Sequence, residues 1–256
     1  MQRLDKLAAS AFNISRAQAQ NAVRKGLVSV GGEVCRSPEK KFPEDSELSM
    51  GGVTGAYEKY VYIMMDKPEG YLSATEDTRD PTVTELLPEE LTRRRLGICG
   101  RLDKDTTGLL LITDDGELNH RLTSPRYHLD KVYIAGIDRP AGVDDVRAFA
   151  EGMDLGDFTA RPARLEILDD DGMTCRVTIS EGKFHQIKRM FAQRGIEVLS
   201  LRRVAMGGIL LDDTLGPGGF RRLTQAEREY LTDKCGIKQE IQNKNQKIVE
   251  KREMIQ

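Results

Sequence analysis

The apolar residues at the start of the chain recur at helical spacing. The positions that carry this pattern are Leu4, Leu7, Ala8 and Ala11. Their spacing of three and four residues predicts an amphipathic helix. Ser15 and Gln18 have the spacing of a capping box, which predicts the start of a second helix. This helix is expected to run through Lys25 and to end at Gly26.

Two short apolar runs in LVSVGGEVC predict a β-hairpin that turns at Gly31–Gly32. Two helices and a hairpin form a small N-terminal module. The glycine-rich stretch SMGGVTGA follows, and its composition predicts a flexible linker with a domain boundary near Gly52. The expected domains are therefore residues 1–52 and 58–235, followed by a polar tail at 236–256.

Strand patterns outnumber helical patterns in the larger second domain. The segments GLLLITDDG, YHLDKVYIAGI, ARLEIL and MTCRVTIS predict strands. The segments VDDVRAFAEGM and FHQIKRMFAQRG predict helices. This mixed order predicts an α+β domain built on a large, mostly antiparallel sheet. The tail is polar with thin apolar spacing, which predicts a frayed helix or disorder.

Composition limits the class of protein. The chain has 256 residues, 39% hydrophobic and 31% charged, which is typical of a folded globular protein. Its apolar runs are too short to span a membrane, and MQRLDKLAAS lacks the apolar core of a signal peptide. We therefore expect a cytoplasmic protein without a membrane partner. The four scattered cysteines form no C-x-x-C pair, which indicates reduced thiols and argues against zinc.

The formal net charge of −2 conceals two basic stretches. Residues 1–43 carry eight Lys or Arg and three Asp or Glu, a net of +5. Residues 183–203 carry six and one, again a net of +5. Such stretches are typical of surfaces that bind a polyanion, although an ordinary solvated surface explains them equally well.

Four aspartates lie close together in GRLDKDTTGLLLITDDG. Asp103-x-Asp105-x-Thr107 matches the nucleophile motif of haloacid-dehalogenase-type phosphatases, but that chemistry needs an unbroken apolar strand before the first aspartate, and GICGRL interrupts it. An EF-hand calcium loop needs two flanking amphipathic helices, which the pattern does not predict. Asp114 and Asp115 are interpreted as an exit turn, and Asp105 also fits turn chemistry.

Asp103 is distinguished by the residues around it. GRLD-x-x-T-x-GLLLIT-x-DG resembles the catalytic motif of the pseudouridine synthases. Two further segments resemble this family in the same order, KVY at Lys131–Tyr133 and ISEGKFHQIKRMF at Ile179–Phe191. RLDKLA and SRAQAQNAVRKGLVSVGG resemble an S4-type RNA-binding domain. Over about residues 1–232 the chain is most similar to the branch that modifies 16S ribosomal RNA.

The resemblance implies three catalytic residues. Pseudouridine formation cuts the N–C1′ bond of uridine, turns the base and rejoins it through C5, and it needs an ionised carboxylate near the sugar. Asp103 is the implied carboxylate, either as nucleophile at C1′ or as base at C2′. Lys188 is the implied cation that keeps it ionised, with Arg189 as the alternative. Tyr133 is the implied stacking partner of the flipped base, although it also fits an ordinary strand tyrosine.

The resemblance also implies an RNA partner. The residues expected to contact RNA are Arg16, Arg24, Lys25, Arg101, Lys183 and Arg189. Arg101 and Asp103 are two residues apart, so on a strand they would share one face. Isomerisation needs no redox cofactor, and the three histidines show no metal-ligand spacing, so neither cofactor nor metal is expected.

The implied substrate is one uridine of 16S ribosomal RNA, at position 516, modified in the RNA or in a small-subunit assembly intermediate by a monomeric enzyme. Sister enzymes of the same family that modify 23S ribosomal RNA are the first alternative. A non-catalytic RNA-binding or ribosome-assembly factor that keeps the fold is the second.

Overall fold

The structure is a computed structural model that describes residues 1–236, apart from the side chain of Pro125. The prediction for the tail at 236–256 therefore lies outside the described residues, except for Gly236. The chain divides into two compact units. The first contains Met1–Val61 and Glu89–Arg94, and the second contains Tyr62–Pro88 and the chain from Arg95 onward.

Short helices and strands make up the first unit. Its helices are α1 (Leu4–Ala11), α2 (Arg16–Arg24) and α3 (Glu89–Thr92). Its strands are β1 (Gln2–Arg3), β2 (Val28–Val30), β3 (Glu33–Val34), β4 (Lys41–Phe42), β5 (Leu48–Met50) and β6 (Val53–Gly55). One sheet pairs β1 with β4, and the other has the order β3-β2-β5-β6. Both predicted helices, the capping box and the first hairpin are confirmed.

The stretch predicted to be a flexible linker is a β-hairpin instead. Strands β5 and β6 pair antiparallel across Gly51 and Gly52, whose φ angles are +60° and +82°. Glycine suits a tight turn as well as a linker because it adopts positive φ without strain. The first unit continues to Val61, so the boundary expected near Gly52 falls inside it.

A mixed sheet forms the centre of the second unit. The strands of the second unit are β7 (Tyr62–Lys67), β8 (Gly97–Cys99), β9 (Thr107–Thr113), β10 (Lys131–Ile137), β11 (Met153–Asp154), β12 (Thr159–Ala160), β13 (Arg164–Ile167), β14 (Thr174–Ile179), β15 (Val198–Met206), β16 (Ile209–Leu210) and β17 (Phe220–Arg222), of which β11 and β12 pair only with each other. Its α-helices are α4 (Gly116–Thr123), α5 (Val143–Glu151), α6 (Gln186–Gln193) and α7 (Gln225–Lys234). Short 3₁₀ helices lie at Val83–Leu86 and Pro125–Tyr127. No helix of the described residues is long and apolar enough to cross a membrane.

The sheet has the order β13-β14-β10-β15-β9-β7-β17, with β16 paired to β15 and β8 to β9. Among the named strands of the described residues, β9 and β15 form the only parallel pair. This arrangement confirms the α+β class and the mostly antiparallel sheet. The predicted strands correspond to β9, β10, β13 and β14, and the predicted helices to α5 and α6.

Helix α4 was not predicted. Its sequence GELNHRLT directly follows the two aspartates interpreted as an exit turn. Asp115 is the N-cap of this helix, and its carboxylate accepts hydrogen bonds from the backbone N–H groups of Glu117 and Leu118, both at 3.1 Å. The aspartate therefore serves as a helix cap, which is a common role for this residue type.

Candidate active site

Asp103 lies in the loop that joins β8 to β9. Gly100 directly follows β8 and has a φ of +75°. Residues 101–103 are not part of a strand. The prediction that Arg101 and Asp103 share a strand face is therefore wrong, because the glycine turns the chain before Arg101. The two side chains nevertheless line the same cleft.

Hydrogen bonds from Ser73 hold the loop beside Asp103. The Ser73 hydroxyl donates to the backbone oxygen of Leu102 at 2.8 Å and accepts from the Leu102 N–H at 3.0 Å. The Thr106 N–H donates to the backbone oxygen of Asp103 at 3.1 Å. The backbone on both sides of the carboxylate is therefore positioned before any substrate binds.

A buried lysine fixes the rest of the loop. Lys67 is fully buried at the end of β7. Its Nζ donates to the backbone oxygens of Pro68 at 3.0 Å, Lys104 at 3.2 Å and Thr106 at 2.9 Å. Burial lowers the pKa of Lys67 to about 8, although the carboxylates of Asp105 and Asp103 oppose this shift.

Arg203 is a second buried cation that supports the loop. Its Nε donates to the backbone oxygen of Leu109 at 2.7 Å, and its guanidinium also donates to that of Gly100 at 2.9 Å. Strand β15 brings Arg203 here by its parallel pairing with β9, where Arg203 is opposite Gly108. A Cβ at Gly108, whose φ is +100°, would lie 2.2 Å from the Arg203 backbone oxygen. Only glycine fits this close approach.

Ser73, Lys67 and Arg203 were not identified as site residues from the sequence. Lys67 had a visible signal, because it is a charged residue in a strand whose other members are mainly buried, whereas the strand of Arg203 is only partly buried. A buried charge needs specific partners, so its position in a strand pattern suggests a structural or functional role.

The cleft around Asp103 has two compartments that share Arg101, Asp103, Tyr133 and Lys183. The narrow compartment has a volume of about 60 Å³ and adds His185 and Lys188 to its lining. The wide compartment has a volume of about 460 Å³ and adds Lys131, Phe184 and Arg203. The larger volume falls in the range of ligand-binding clefts. Five of the residues predicted from the sequence thus line one cleft.

Lys188 contacts Asp105 rather than Asp103 in the described part of the chain. Its Nζ donates to both carboxylate oxygens of Asp105 at 2.6 Å. This contact lowers the pKa of Asp105. The predicted pair of Lys188 with Asp103 therefore differs from the structure, because the turn closed between Asp103 and Thr106 separates the two carboxylates. Lys188 still lines the narrow compartment together with Asp103.

His185 is the basic residue next to Asp103. Its Nε2 lies 3.6 Å from Oδ1 of Asp103. The His185 backbone is left-handed, with a φ of +50°, and its ring stacks on Phe184 at a centroid distance of 3.8 Å and an angle of 17°. His185 was not identified as a site residue from the sequence. The spacing of the three histidines argued only against a metal site.

Arg189, the alternative cation, is held away from Asp103. Its guanidinium donates to both carboxylate oxygens of Asp157 and, at 2.7 Å, to the backbone oxygen of Leu155. It also lies over the ring of Phe158, 4.8 Å from the centroid. The Asp157 carboxylate therefore neutralises the charge of Arg189. The same contacts attach the β11–β12 hairpin to α6.

The wide compartment is lined by two buried cations together with the carboxylates of Glu181 and Asp103. Lys131 and Arg203 are both buried and both line it. Burial lowers the pKa of Lys131, and the nearby charge of Arg203 lowers it further. Tyr133 is buried on β10 two residues after Lys131, and it lines both compartments.

The basic residues predicted to contact RNA in the first unit lie on or next to α2. Arg16 forms an ion pair with the buried Asp5, at 3.4 Å. Burial alone would raise the pKa of Asp5, but hydrogen bonds from Arg3, Gln20 and Arg16 lower it to about 2. Arg24 and Lys25 are exposed at the end of the helix.

Comparison with known proteins shows to which protein family the chain belongs. The family model for RNA pseudouridylate synthases matches residues 61–193, and the S4 domain model matches residues 2–48. The chain belongs to the RNA pseudouridylate synthase family and is an isomerase with an N-terminal S4 domain. Both resemblances drawn from the sequence are confirmed, and the phosphatase and EF-hand alternatives are excluded.

Individual pseudouridine synthases are similar to this chain over most of its length. The chain is 42% identical over 229 residues to the ribosomal small subunit pseudouridine synthase A of Escherichia coli strain K12, covering 88% of this chain and 97% of that protein. It is 40% identical over 235 residues to the uncharacterised RNA pseudouridine synthase YtzG of Bacillus subtilis strain 168, covering 90% and 98%. A pseudouridylate synthase crystal structure that is 38% identical matches with a TM-score of 0.64, covering 90% of this chain and 100% of that one.

Proposed function

We propose that this protein converts one uridine of 16S ribosomal RNA into pseudouridine, in the free RNA or in a small-subunit assembly intermediate. The observation that carries the proposal is the position of Asp103, on a loop fixed by buried groups and at the junction of two cleft compartments. Similarity to relatives named as small-subunit pseudouridine synthases supports the choice of 16S ribosomal RNA.

Asp103 acts on the sugar of the target nucleotide, as nucleophile at C1′ or as base at C2′. The target base leaves its stack at a cost of a few kcal/mol, and stacking on Tyr133 recovers about 1–3 kcal/mol of this. The buried position of Tyr133 beside Asp103 suits a base that is taken out of the RNA helix. No redox step occurs, because the product is an isomer of the substrate.

Lys188 supplies positive charge to the narrow compartment. RNA that covers the cleft removes water from Asp103, and desolvation raises the pKa of a carboxylate. The ammonium of Lys188 opposes this once it moves from Asp105 towards Asp103, because the Asp105 carboxylate cancels most of its charge while the two are paired. Lys188 is therefore part of the catalytic set with Asp103 and Tyr133.

RNA backbone contacts come from basic residues of both units. Arg16, Arg24 and Lys25 contribute them from the first unit. Arg101 and Lys183 contribute them at the cleft, and Arg189 does so when an RNA phosphate replaces Asp157 as the partner of its guanidinium. The protein acts as a monomer in the cytoplasm, where ribosomal RNA is assembled into subunits.

The test is a map of pseudouridines in both ribosomal RNAs from cells that lack the gene. We expect one pseudouridine to disappear from 16S RNA, at position 516, and to return with the wild-type gene but not with Asp103→Asn. Asp114→Asn, from the same aspartate-rich stretch, is the matched control and should restore the modification.

Two outcomes would contradict the proposal. Loss of a mark from 23S RNA alone would identify a sister enzyme with a different substrate. An unchanged map in both RNAs, together with binding of ribosomal RNA by the purified protein, would indicate a non-catalytic binding or assembly factor.

A further inference from the structure

Phe184 is exposed at the rim of the catalytic cleft, where an apolar side chain has no evident structural use. It is 70% exposed and lines the wide compartment. One face of its ring is covered by the His185 ring, at 3.8 Å and 17° from parallel. Single exposed apolar side chains are common on protein surfaces, but Phe184 lines the same cleft as the catalytic carboxylate, where an aromatic ring can stack on a base.

Buried side chains hold the loop that carries Phe184 through hydrogen bonds. Gln186 is buried, and its side chain accepts a hydrogen bond from the Lys183 N–H at 3.1 Å and donates to Glu181 at 3.0 Å. Glu181 is also buried, and the same oxygen accepts from the Arg161 N–H at 2.9 Å. The side chains of Gln186 and Glu181 thus tie together both ends of the turn.

The turn also contains strained backbone. His185 has a φ of +50°, a conformation that is unfavourable for residues other than glycine and persists only where neighbouring contacts enforce it. The enforced conformation keeps the two rings parallel and places Nε2 of His185 3.6 Å from Asp103. The stacked pair is therefore preorganised next to the catalytic carboxylate.

The surroundings of Phe184 suit a nucleotide. The wide compartment is lined by the cations Lys183, Arg101, Lys131 and Arg203, which outnumber its two carboxylates, Asp103 and Glu181. An exposed ring within a basic cleft is the arrangement by which proteins bind single-stranded RNA, with a base on the ring and phosphates on the cations. The wide compartment, with a volume of about 460 Å³, is of the size of a ligand-binding cleft and extends from the catalytic carboxylate to Phe184.

We infer that the Phe184–His185 pair is a stacking platform for a nucleobase next to the target uridine in the RNA strand. The base lies on the open face of Phe184 and extends the stack, while the target base enters the cleft at Asp103 and Tyr133, which line both compartments. The platform holds the strand open after the target has flipped. This inference rests on the proposed RNA substrate and adds a second subsite to it.

Binding of unmodified 16S transcript tests the platform in an Asp103→Asn background, which keeps the RNA from reacting. Phe184→Leu keeps an apolar side chain but removes the ring, and it should weaken binding about 5- to 150-fold, as expected for the loss of one base–aromatic stack. Phe184→Tyr keeps the ring and should stay within about threefold of the parent. Leu210→Ala is the matched control, because Leu210 is also 70% exposed but lies on β16 outside the cleft.

Thermal unfolding distinguishes binding from folding. All three variants should unfold at the parent temperature, because both side chains are exposed. Equal RNA affinity of Phe184→Leu and the parent would overturn the platform, and so would an equal loss in Phe184→Tyr. If the wild-type enzyme forms no pseudouridine in the transcript while Phe184→Leu still binds more weakly than Phe184→Tyr, then the platform holds and the proposed reaction fails.

Discussion

Replacement of Lys67 by methionine is expected to change how the stability of the protein depends on pH. The wild-type ammonium is fully buried and donates to three backbone oxygens around the loop of Asp103. Methionine has a similar length but neither charge nor donors. Each oxygen left without a partner should cost about 1–3 kcal/mol, partly offset because a charge is no longer buried.

The pH dependence of the unfolding free energy separates the effect of the Lys67 charge from that of its hydrogen bonds. Burial lowers the pKa of Lys67 from 10.5 to about 8 in the folded protein. Below pH 8 the ammonium is charged in both states, and its burial opposes folding by about 3 kcal/mol. As the pH rises from 8 towards 10.5 the folded state loses the proton before the unfolded state does. The unfolded state then binds more protons, so the stability contributed by this residue rises with pH.

Urea unfolding of wild type and Lys67→Met at pH 7 and 9.5 measures this effect. Circular dichroism is the suitable signal because the chain contains no tryptophan. The difference in unfolding free energy, wild type minus variant, should increase by about 2 kcal/mol over this interval. Lys104→Met is the control, because that lysine is exposed and paired with Asp80, and its difference should stay constant. If the difference in unfolding free energy between wild type and Lys67→Met is the same at both pH values, then burial does not lower the pKa of Lys67 as described.

Three other changes test the site and the fold. Lys188→Met should alter the unfolding free energy by no more than about 1 kcal/mol, because its partner Asp105 is 62% exposed. The rate at saturating RNA should nevertheless fall about 100-fold, with Lys188→Arg retaining much of it, and normal single-turnover rates for the Met variant would remove Lys188 from the catalytic set. Changing Arg24 and Lys25 together to Gln should flatten the slope of log K against log salt by about 0.7–0.9 for each phosphate that is no longer neutralised, and an unchanged slope would show that neither residue touches RNA. Gly108→Ala should destabilise the protein by several kcal/mol in urea unfolding, because the added Cβ meets a backbone oxygen 2.2 Å away, and a wild-type midpoint would contradict the close strand approach.

The sequence predicted correctly those helices and hairpins whose caps and turns are formed by residues close together in the chain. Helix α2 carries its own cap in Ser15 and Gln18, and its end is set by Gly26, so a short window of sequence contains the whole signal. The same holds for the hairpin at Gly31–Gly32. The prediction for the glycines at 51 and 52 was wrong because linker and hairpin share a composition, and the pairing of β5 with β6 depends on strand contacts rather than on the turn alone.

The site was predictable only in part, for a physical reason. Asp103 and Tyr133 belong to motifs whose residues are close in sequence, so the family resemblance identifies them. Lys67 and Arg203 reach the same loop from β7 and β15, and a single sequence does not reveal which strands pair. The partner of Lys188 depends on the direction of a turn, which hydrogen bonds of that turn determine and which a spacing rule does not describe.

The buried cations also explain how a chain with a net charge of −2 can attract RNA. Lys131 and Arg203 line the wide compartment and are withdrawn from solvent, so water screens them less than it screens surface charges, and the one buried carboxylate beside them, Glu181, offsets only part of their charge. Many of the acidic side chains elsewhere are solvated or paired with arginine, as Asp157 is, and their fields decay over about 8–10 Å at moderate salt. A phosphate entering the wide compartment therefore responds mainly to the local charges that line it. The location of the charges, rather than their sum, makes the cleft suitable for a polyanion.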